Sequence, residues 1–178
     1  MRDLSDAVLA GYQDAALALL TEQALTDGLT GIANRRAFDT RLNNEIARAQ
    51  RFQHCIALVL LDIDGLKRVN DTQGHVHGDT LVRAVAAILR EQARGIDLVA
   101  RIGGDEFAVI VPETDRGGAD ALVHRLVQTA HTRYVDGVAL RFSVGVAVYP
   151  DDGITPAALI EQADQRMYTD KRRARTDE

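Results

Sequence analysis

The chain has 178 residues, 46% apolar and 26% charged, the make-up of one globular domain with a full core plus a short appendage. Twenty-six acids against 21 Lys and Arg give a net charge of −5, which disfavours general nucleic-acid binding but leaves a nucleotide substrate open, because a metal ion and a few placed bases offset phosphates locally. The single cysteine, Cys55, excludes an internal disulfide and fits a reducing, cytoplasmic setting; no apolar run approaches the ~20 residues of a membrane span, and the acids within Met1–Asp6 are unlike a secretion signal.

Leu4, Val8, Tyr12, Ala15 and Leu19 recur at helical spacing and predict a stalk helix over residues 1–26, outside the main core. Its weak apolar stripe either meets a partner helix or folds back on its own domain. Residues 26–34 are turn-forming, and Asn34 is placed to cap a helix whose apolar face is Phe38, Leu42, Ile46 and Ala49. Residues 55–61 are continuously apolar, as in a strand buried on both faces, with Cys55 as a small buried hydrophobe. This run ends at Asp62-Ile63-Asp64. Carboxylates at the end of a buried strand are costly unless paired, so their placement points to a site.

Residues 65–78 read as a polar, Gly-containing connection, with Asp79 a candidate cap for the next helix, whose face is Leu81, Val85, Ile88 and Leu89. Next comes Gly103-Gly104-Asp105-Glu106-Phe107 between two apolar, β-branched segments, a hairpin whose tip carries acid and almost no side-chain bulk. Glycine lets a backbone approach a ligand closely, and adjacent carboxylates supply hard oxygen ligands for a divalent cation. A helix follows Asp115, with Ala121, Leu122, Arg125, Leu126 and Thr129 in its pattern. In the last strand region, 137–149, the bulky Phe142, Val144, Val146 and Val148 alternate with the small Ser143, Gly145 and Ala147, leaving one face open to a close-packed helix. Thr155 caps that final helix and Pro156 opens it, with Leu159, Ile160, Ala163 and Met167 as its stripe. The order α-β-α-β-β-α-β-α, with a hairpin inside it, requires antiparallel pairing and rules out a purely parallel sheet.

These pieces, in this order, closely resemble the GGDEF family, the diguanylate cyclases. The matching residues run from Asp27-Gly-Leu-Thr-Gly-Ile-Ala-Asn-Arg-Arg36 through Asp62-Ile-Asp-Gly-Leu-Lys-Arg-Val-Asn-Asp-Thr-Gln-Gly-His75, Gly78-Asp79 and Arg101-Ile-Gly-Gly-Asp-Glu-Phe107 to Phe142-Ser-Val-Gly145, Ala163-Asp164, Met167-Tyr168 and Lys171. Departures are small: Leu66 stands where the family more often has Phe, and Thr169-Asp170 where small residues are common. The resemblance implies an α/β (α+β) fold, a palm-like, nucleotide-cyclase-like mixed or antiparallel sheet ringed by helices. It divides the chain into the stalk (1–26), a catalytic domain (27–175) and a tail (176–178). It implies condensation of two GTP into cyclic di-GMP with release of two pyrophosphates, between two domains facing across a two-fold axis. The alternative is a silent receptor module that binds GTP or cyclic di-GMP without turnover.

The resemblance also assigns residues. Asp62, Asp105 and the carbonyl of Ile63 would hold Mg²⁺, with Mn²⁺ able to replace it. Asp105, Glu106 or water would accept the 3′-hydroxyl proton. Asn70 and Asp79 would read guanine, whose N1 and N2 donors suit acceptors. Gly103 and Gly104 would admit the triphosphate against the backbone, and Lys67, Lys171 and Arg175 would contact phosphate. Arg94-x-x-Asp97 would bind product as an inhibitory site, completed by Arg125 of a neighbouring domain. Asp64 either supports the metal ligands or only shapes the turn, and His75 packs a turn. A sensory domain upstream of the stalk would supply the input signal.

Overall fold

The structure, a computed structural model, describes residues 24–176, the last two by backbone alone. The predicted stalk and tail fall almost wholly outside the described residues. In chain order the elements are β1 (Ala33–Asn34), α1 (Arg35–Phe52), β2 (Ile56–Ile63), α2 (Leu66–Gln73), α3 (His75–Gln92), β3 (Leu98–Arg101), β4 (Glu106–Pro112), α4 (Arg116–His131), β5 (Tyr134–Val135), β6 (Val138–Ala139), β7 (Phe142–Tyr149) and α5 (Pro156–Thr176). The main sheet runs β1-β3-β4-β2-β7. Its long pairs are antiparallel, and only the short β1 lies parallel to its neighbour β3.

Period-two alternation divides the core into two layers. Along β2, Ala57, Val59, Leu61 and Ile63 face one layer, with Leu81, Val85 and Leu89 of α3 and Leu122 and Leu126 of α4. Ile56, Leu58 and Leu60 face the other, with Phe38, Leu42 and Ile46 of α1 and Leu159, Ala163 and Met167 of α5. The sheet is thus covered on both faces, which is why its central strands are apolar throughout.

Two predicted caps form: Asn34 accepts from Ala37 N at 3.1 Å and Thr155 Oγ1 from Ala158 N at 3.2 Å. Asp115 also caps its helix, accepting from Gly118 N at 2.9 Å. Gly145 meets the close helix approach that the small-residue face of β7 predicts: a Cβ there would overlap the carbonyl oxygen of Ala163.

Three expectations change. Residues 65–78 are not a simple connection: they hold α2 and the start of α3, bracketed by Gly65 (φ 74°) and Gly74 (φ 88°). The only buried side chains in α2 are Leu66 and Val69, too few for its periodicity to stand out from a polar loop. Asp79 is the fifth residue of α3, which begins after Gly74, so it is not the N-cap. Cys55 precedes β2 and is only partly buried. In addition, residues 137–149 divide into part of the small β5–β6 hairpin and the long β7. Asp136 (φ 50°) and Gly137 (φ 79°) make the two-residue left-handed turn that such a hairpin favours.

Candidate functional site

Alternation along β2 decides where its terminal carboxylate goes. Asp62 lies in register with Leu58 and Leu60, on the face covered by α5. Across the sheet it stands between Glu106 of β4 and Ser143 of β7. It is 7% exposed, and Lys171 of α5 places its Nζ 2.5 Å from Asp62 Oδ1. Burial raises the pKa of Glu106, and the charges of Asp105, Asp62 and Asp164 raise it further, against the opposing pull of Arg35. Burial also raises that of Asp64, opposed by a hydrogen bond from Ser143 Oγ at 2.8 Å and by Lys171, and reinforced by Asp62 and Asp170. Facing carboxylates on paired strands repel. The ends of β2 and β4 therefore form a pocket of negative charge.

The hairpin tip is tied to the end of β2 by Ile63 N donating to the Asp105 carbonyl at 3.0 Å. Asp62, Asp105 and the Ile63 carbonyl offer only hard oxygen donors, and the Lys171 ammonium already occupies one cation position on Asp62. This chemistry fits a small divalent ion such as Mg²⁺. Among the described residues no group of three or more His, Cys, Asp or Glu side chains stands in a metal-binding arrangement, so a carbonyl and the ligand's own oxygens would have to complete the shell.

Arg101, whose role the sequence left unread, holds the tip in shape. Its Nη2 donates to the Gly104 carbonyl at 2.7 Å, and its Nη1 lies 3.3 Å from both carboxylate oxygens of Asp27. Asp27 also accepts from Thr30 N at 2.9 Å and Thr30 Oγ1 at 2.6 Å. Against the upward push of burial, those Thr30 bonds and Arg101 hold the Asp27 carboxyl below its ordinary range. A Cβ at Gly103 would sit 2.5 Å from Glu106 Oε2, so a larger residue there would displace the Glu106 carboxylate.

Beside the hairpin lies a cavity of about 490 Å³, lined among others by Lys67, Asn70, Gly78, Asp79, Gly104 and Asp105. Lys67 and Asn70 come from α2, and Gly78 and Asp79 from α3, which meet at Gly74. His75 lines the same cavity. Asn70 Oδ1 is buried without a hydrogen-bond partner in the described structure, and Gly78 leaves the room it occupies. A buried acceptor left unpaired costs ~1–3 kcal/mol, which a donor entering the cavity would recover. An amide oxygen and a carboxylate on one wall suit a ligand edge rich in N–H groups.

The other predicted residues are dispersed. Arg175 lies on the α5 backbone, and its side chain is outside those described. Arg94 and Asp97 close on each other: Arg94 N donates to Asp97 Oδ2 at 2.7 Å and Asp97 N to the Arg94 carbonyl at 3.0 Å. The remaining Asp97 Oδ1 is buried and unpaired in the described structure. Arg94 lines a separate cavity of about 370 Å³ with His54, Cys55, Thr114 and Gly118. Arg125 is not part of that cavity; it is exposed on α4, with its Nη1 3.4 Å from the carbonyl of Ala121 on its own helix.

Comparison with known proteins gives a consistent picture. A family model described as "Diguanylate cyclase, GGDEF domain" matches residues 24–177. The diguanylate cyclase TpbB of Pseudomonas aeruginosa is 41% identical over 164 residues, covering 89% of this chain and 38% of that protein. The response regulator PleD of Caulobacter vibrioides is 37% identical over 158 residues, covering 84% of this chain and 34% of that protein. The chain thus spans well under half the length of these relatives. Among solved structures, the coiled coil and GGDEF domain of DgcB from Caulobacter crescentus, in complex with c-di-GMP, superposes with a TM-score of 0.88 at 31% identity, covering 96% of this chain and 93% of that one.

Proposed function

The chain belongs to the GGDEF family, and from this we propose that it is a diguanylate cyclase that joins two GTP into cyclic di-GMP. The observation that carries the proposal is the shared cavity of Lys67, Asn70, Asp79, Gly104 and Asp105 beside the Asp62–Lys171 pair. Asn70 Oδ1 and the Asp79 carboxylate accept from the N1 and N2 donors of guanine, and neutral adenine has no N1 donor to give. Gly103 and Gly104 keep the hairpin tip free of bulk where the phosphates pass. Lys67 and Lys171 bind phosphate, and Arg175 extends that set along α5.

Asp62, Asp105 and the Ile63 carbonyl would hold Mg²⁺, or Mn²⁺ in its place, which would supply charge stabilisation at the α-phosphate and acidify the attacking hydroxyl. The 3′-oxygen of one GTP forms a bond to the α-phosphorus of the other, and pyrophosphate leaves as the P–O bond breaks. The second ester forms the same way. Asp105, Glu106 or water takes the proton. Burial and neighbouring carboxylates raise the pKa of Glu106, which favours its taking up a proton.

One chain provides one such site, so two copies must face each other. The DgcB structure joins a GGDEF domain to a coiled coil, which supports the predicted stalk helix as the element that pairs them. Arg94 and Asp97 give the product a second place to bind. The orphaned Asp97 Oδ1 and the adjacent arginine suit a guanine edge or a phosphate.

The test is incubation of the purified chain with GTP and Mg²⁺, with the products separated by chromatography. Cyclic di-GMP and pyrophosphate are expected from the intact chain, and a loss of ~10³-fold or more from Asp105→Ala, which removes an oxygen ligand at the reacting centre. Tight GTP binding with no product, even from chains held together as dimers, would instead identify a receptor.

A further inference from the structure

β7 is the last strand of its sheet, and among the described residues it pairs with β2 alone. The backbone groups of its outer edge have no strand to meet, and such an edge invites another chain unless it is covered. Here side chains cover it. Asp170 of α5 accepts from Val144 N at 2.9 Å. Arg166 of α5 donates from Nη1 to the Val146 carbonyl at 2.6 Å, and Arg116 of α4 donates to the same oxygen at 3.2 Å. Asp152, in the turn between β7 and α5, accepts from Val148 N at 2.7 Å and holds Arg166 with both of its oxygens.

Two of these contacts form a ladder between helix and strand. Arg166 and Asp170 are four residues apart, a rise of about 6 Å along one face of α5. Their partners Val146 and Val144 are two residues apart, about 6.6 Å along one edge of β7. The spacings match, so the helix runs antiparallel to the strand in a defined register. The next step of the same progression is the acidic centre. Ser143 stands in register with Asp62, and Lys171, the residue after Asp170, bonds Asp62 Oδ1. Gly145 sets how close α5 lies to β7, and the ladder sets how far it can slide. Asp170 stands where the family commonly has a small residue, which could not accept the Val144 bond.

We propose that Asp170 is a positioning residue: its bond to Val144 N locks the register of α5 against β7 and so holds the Lys171 ammonium at Asp62. The inference rests on the reading of Lys171 as a phosphate-binding group of a GTP-using enzyme. Asp170 acts through Lys171 and needs no contact with the nucleotide. The sign of its effect separates this role from simple electrostatics. A carboxylate acting only through its charge repels a triphosphate, so truncating it would tighten GTP binding. A carboxylate that places Lys171 does the opposite: truncating it weakens GTP binding.

The experiment measures GTP binding to the full chain by calorimetry, with KM and kcat, for Asp170→Ala, Asp170→Asn, Lys171→Ala and the Asp170→Ala, Lys171→Ala double variant. Exchange of the Val144 amide proton is followed by NMR. Asp170→Ala is expected to weaken GTP by ~5-fold, with KM rising more than kcat falls. Asp170→Asn keeps an acceptor oxygen and should stay within ~2-fold of the intact chain. In the Lys171→Ala background, Asp170→Ala should add less than ~2-fold, because a residue that acts through another loses its effect with it. The Val144 amide should exchange faster in Asp170→Ala than in Asp170→Asn or the intact chain. GTP binding that is unchanged or tighter in Asp170→Ala overturns the inference and leaves the cyclase reading standing. An equal loss in the Lys171→Ala background overturns it too, since a general loss of structure gives that pattern. An Asp170→Asn variant as weak as Asp170→Ala overturns the role of the Val144 bond. An intact chain that binds no GTP overturns the nucleotide reading and this inference with it.

Discussion

At the scale of single residues, the fold uses carboxylates in two opposite ways. Near the ends of β2 and β4, burial and neighbouring carboxylates, Asp62 among them for both, make Asp64 and Glu106 harder to ionise. At the turn between β7 and α5, Asp152 is made easier to ionise: hydrogen bonding from Arg166 lowers its pKa to about 2, against burial and with help from Val148 N and Arg116. Its carboxylate is 11% exposed and receives Arg166 at 2.7 and 2.8 Å as well as a bond from Arg116. The two arginines are more than a third exposed, so solvent screens the cluster, and about 1–2 kcal/mol is a fair scale for it. A depressed carboxylate pKa stabilises the fold fully above the ordinary value of 3.8 and ceases to do so as pH falls toward about 2. Denaturation measured at pH 5 and at pH 2 should therefore show a smaller acid-induced loss for Asp152→Asn than for the intact chain, by about that amount. Equal losses would mean that the cluster contributes nothing through its charge.

At the scale of elements, the closest fit is between α5 and β7. The alternation of small and bulky residues in β7 already marked one face as open to a helix. The structure shows how little room is left, since a Cβ on Gly145 would overlap the Ala163 carbonyl and lie 2.5 Å from Met167 N. Both obstacles are backbone atoms of one helix, so no side chain can rotate away. Gly145→Ala should cost ~1–3 kcal/mol in chemical denaturation, the usual penalty for overpacking. It should also weaken GTP binding, because Lys171 follows Met167 on α5 and would move with it. Stability and GTP affinity that both stay at intact values would show that α5 can shift freely. By contrast α2 was not legible as a helix. Two buried side chains and a flanking glycine at each end look like a loop until the fold supplies something for Leu66 and Val69 to cover.

At the scale of the whole molecule, the described residues of one chain hold one candidate nucleotide cavity beside one acidic centre, whereas cyclic di-GMP needs two GTP. Product formation per chain should therefore rise with protein concentration and level off once dimers dominate. Sedimentation in the same range should show the matching monomer–dimer shift. Activity per chain that is constant down to a demonstrably monomeric concentration would remove the two-fold arrangement.

The motifs were legible because their residue types are dictated locally. Gly-Gly at the hairpin, Asp62-x-Asp64 at a strand end and caps such as Asn34 and Thr155 each follow from the chemistry of a few neighbouring positions. Periodicity likewise determined which residues of β2 and β7 share a face. Tertiary structure decided which helix covers each face and which distant groups meet there. Lys171 reaches Asp62 across 109 positions and Arg101 reaches Asp27 across 74, contacts that no local spacing encodes. It also placed Arg68 and Lys67, adjacent in sequence, on the walls of two different cavities. The physical reason is that hydrogen bonding and side-chain period act over a few residues, whereas the charge and space at a site are set by whatever the packed sheet brings against it.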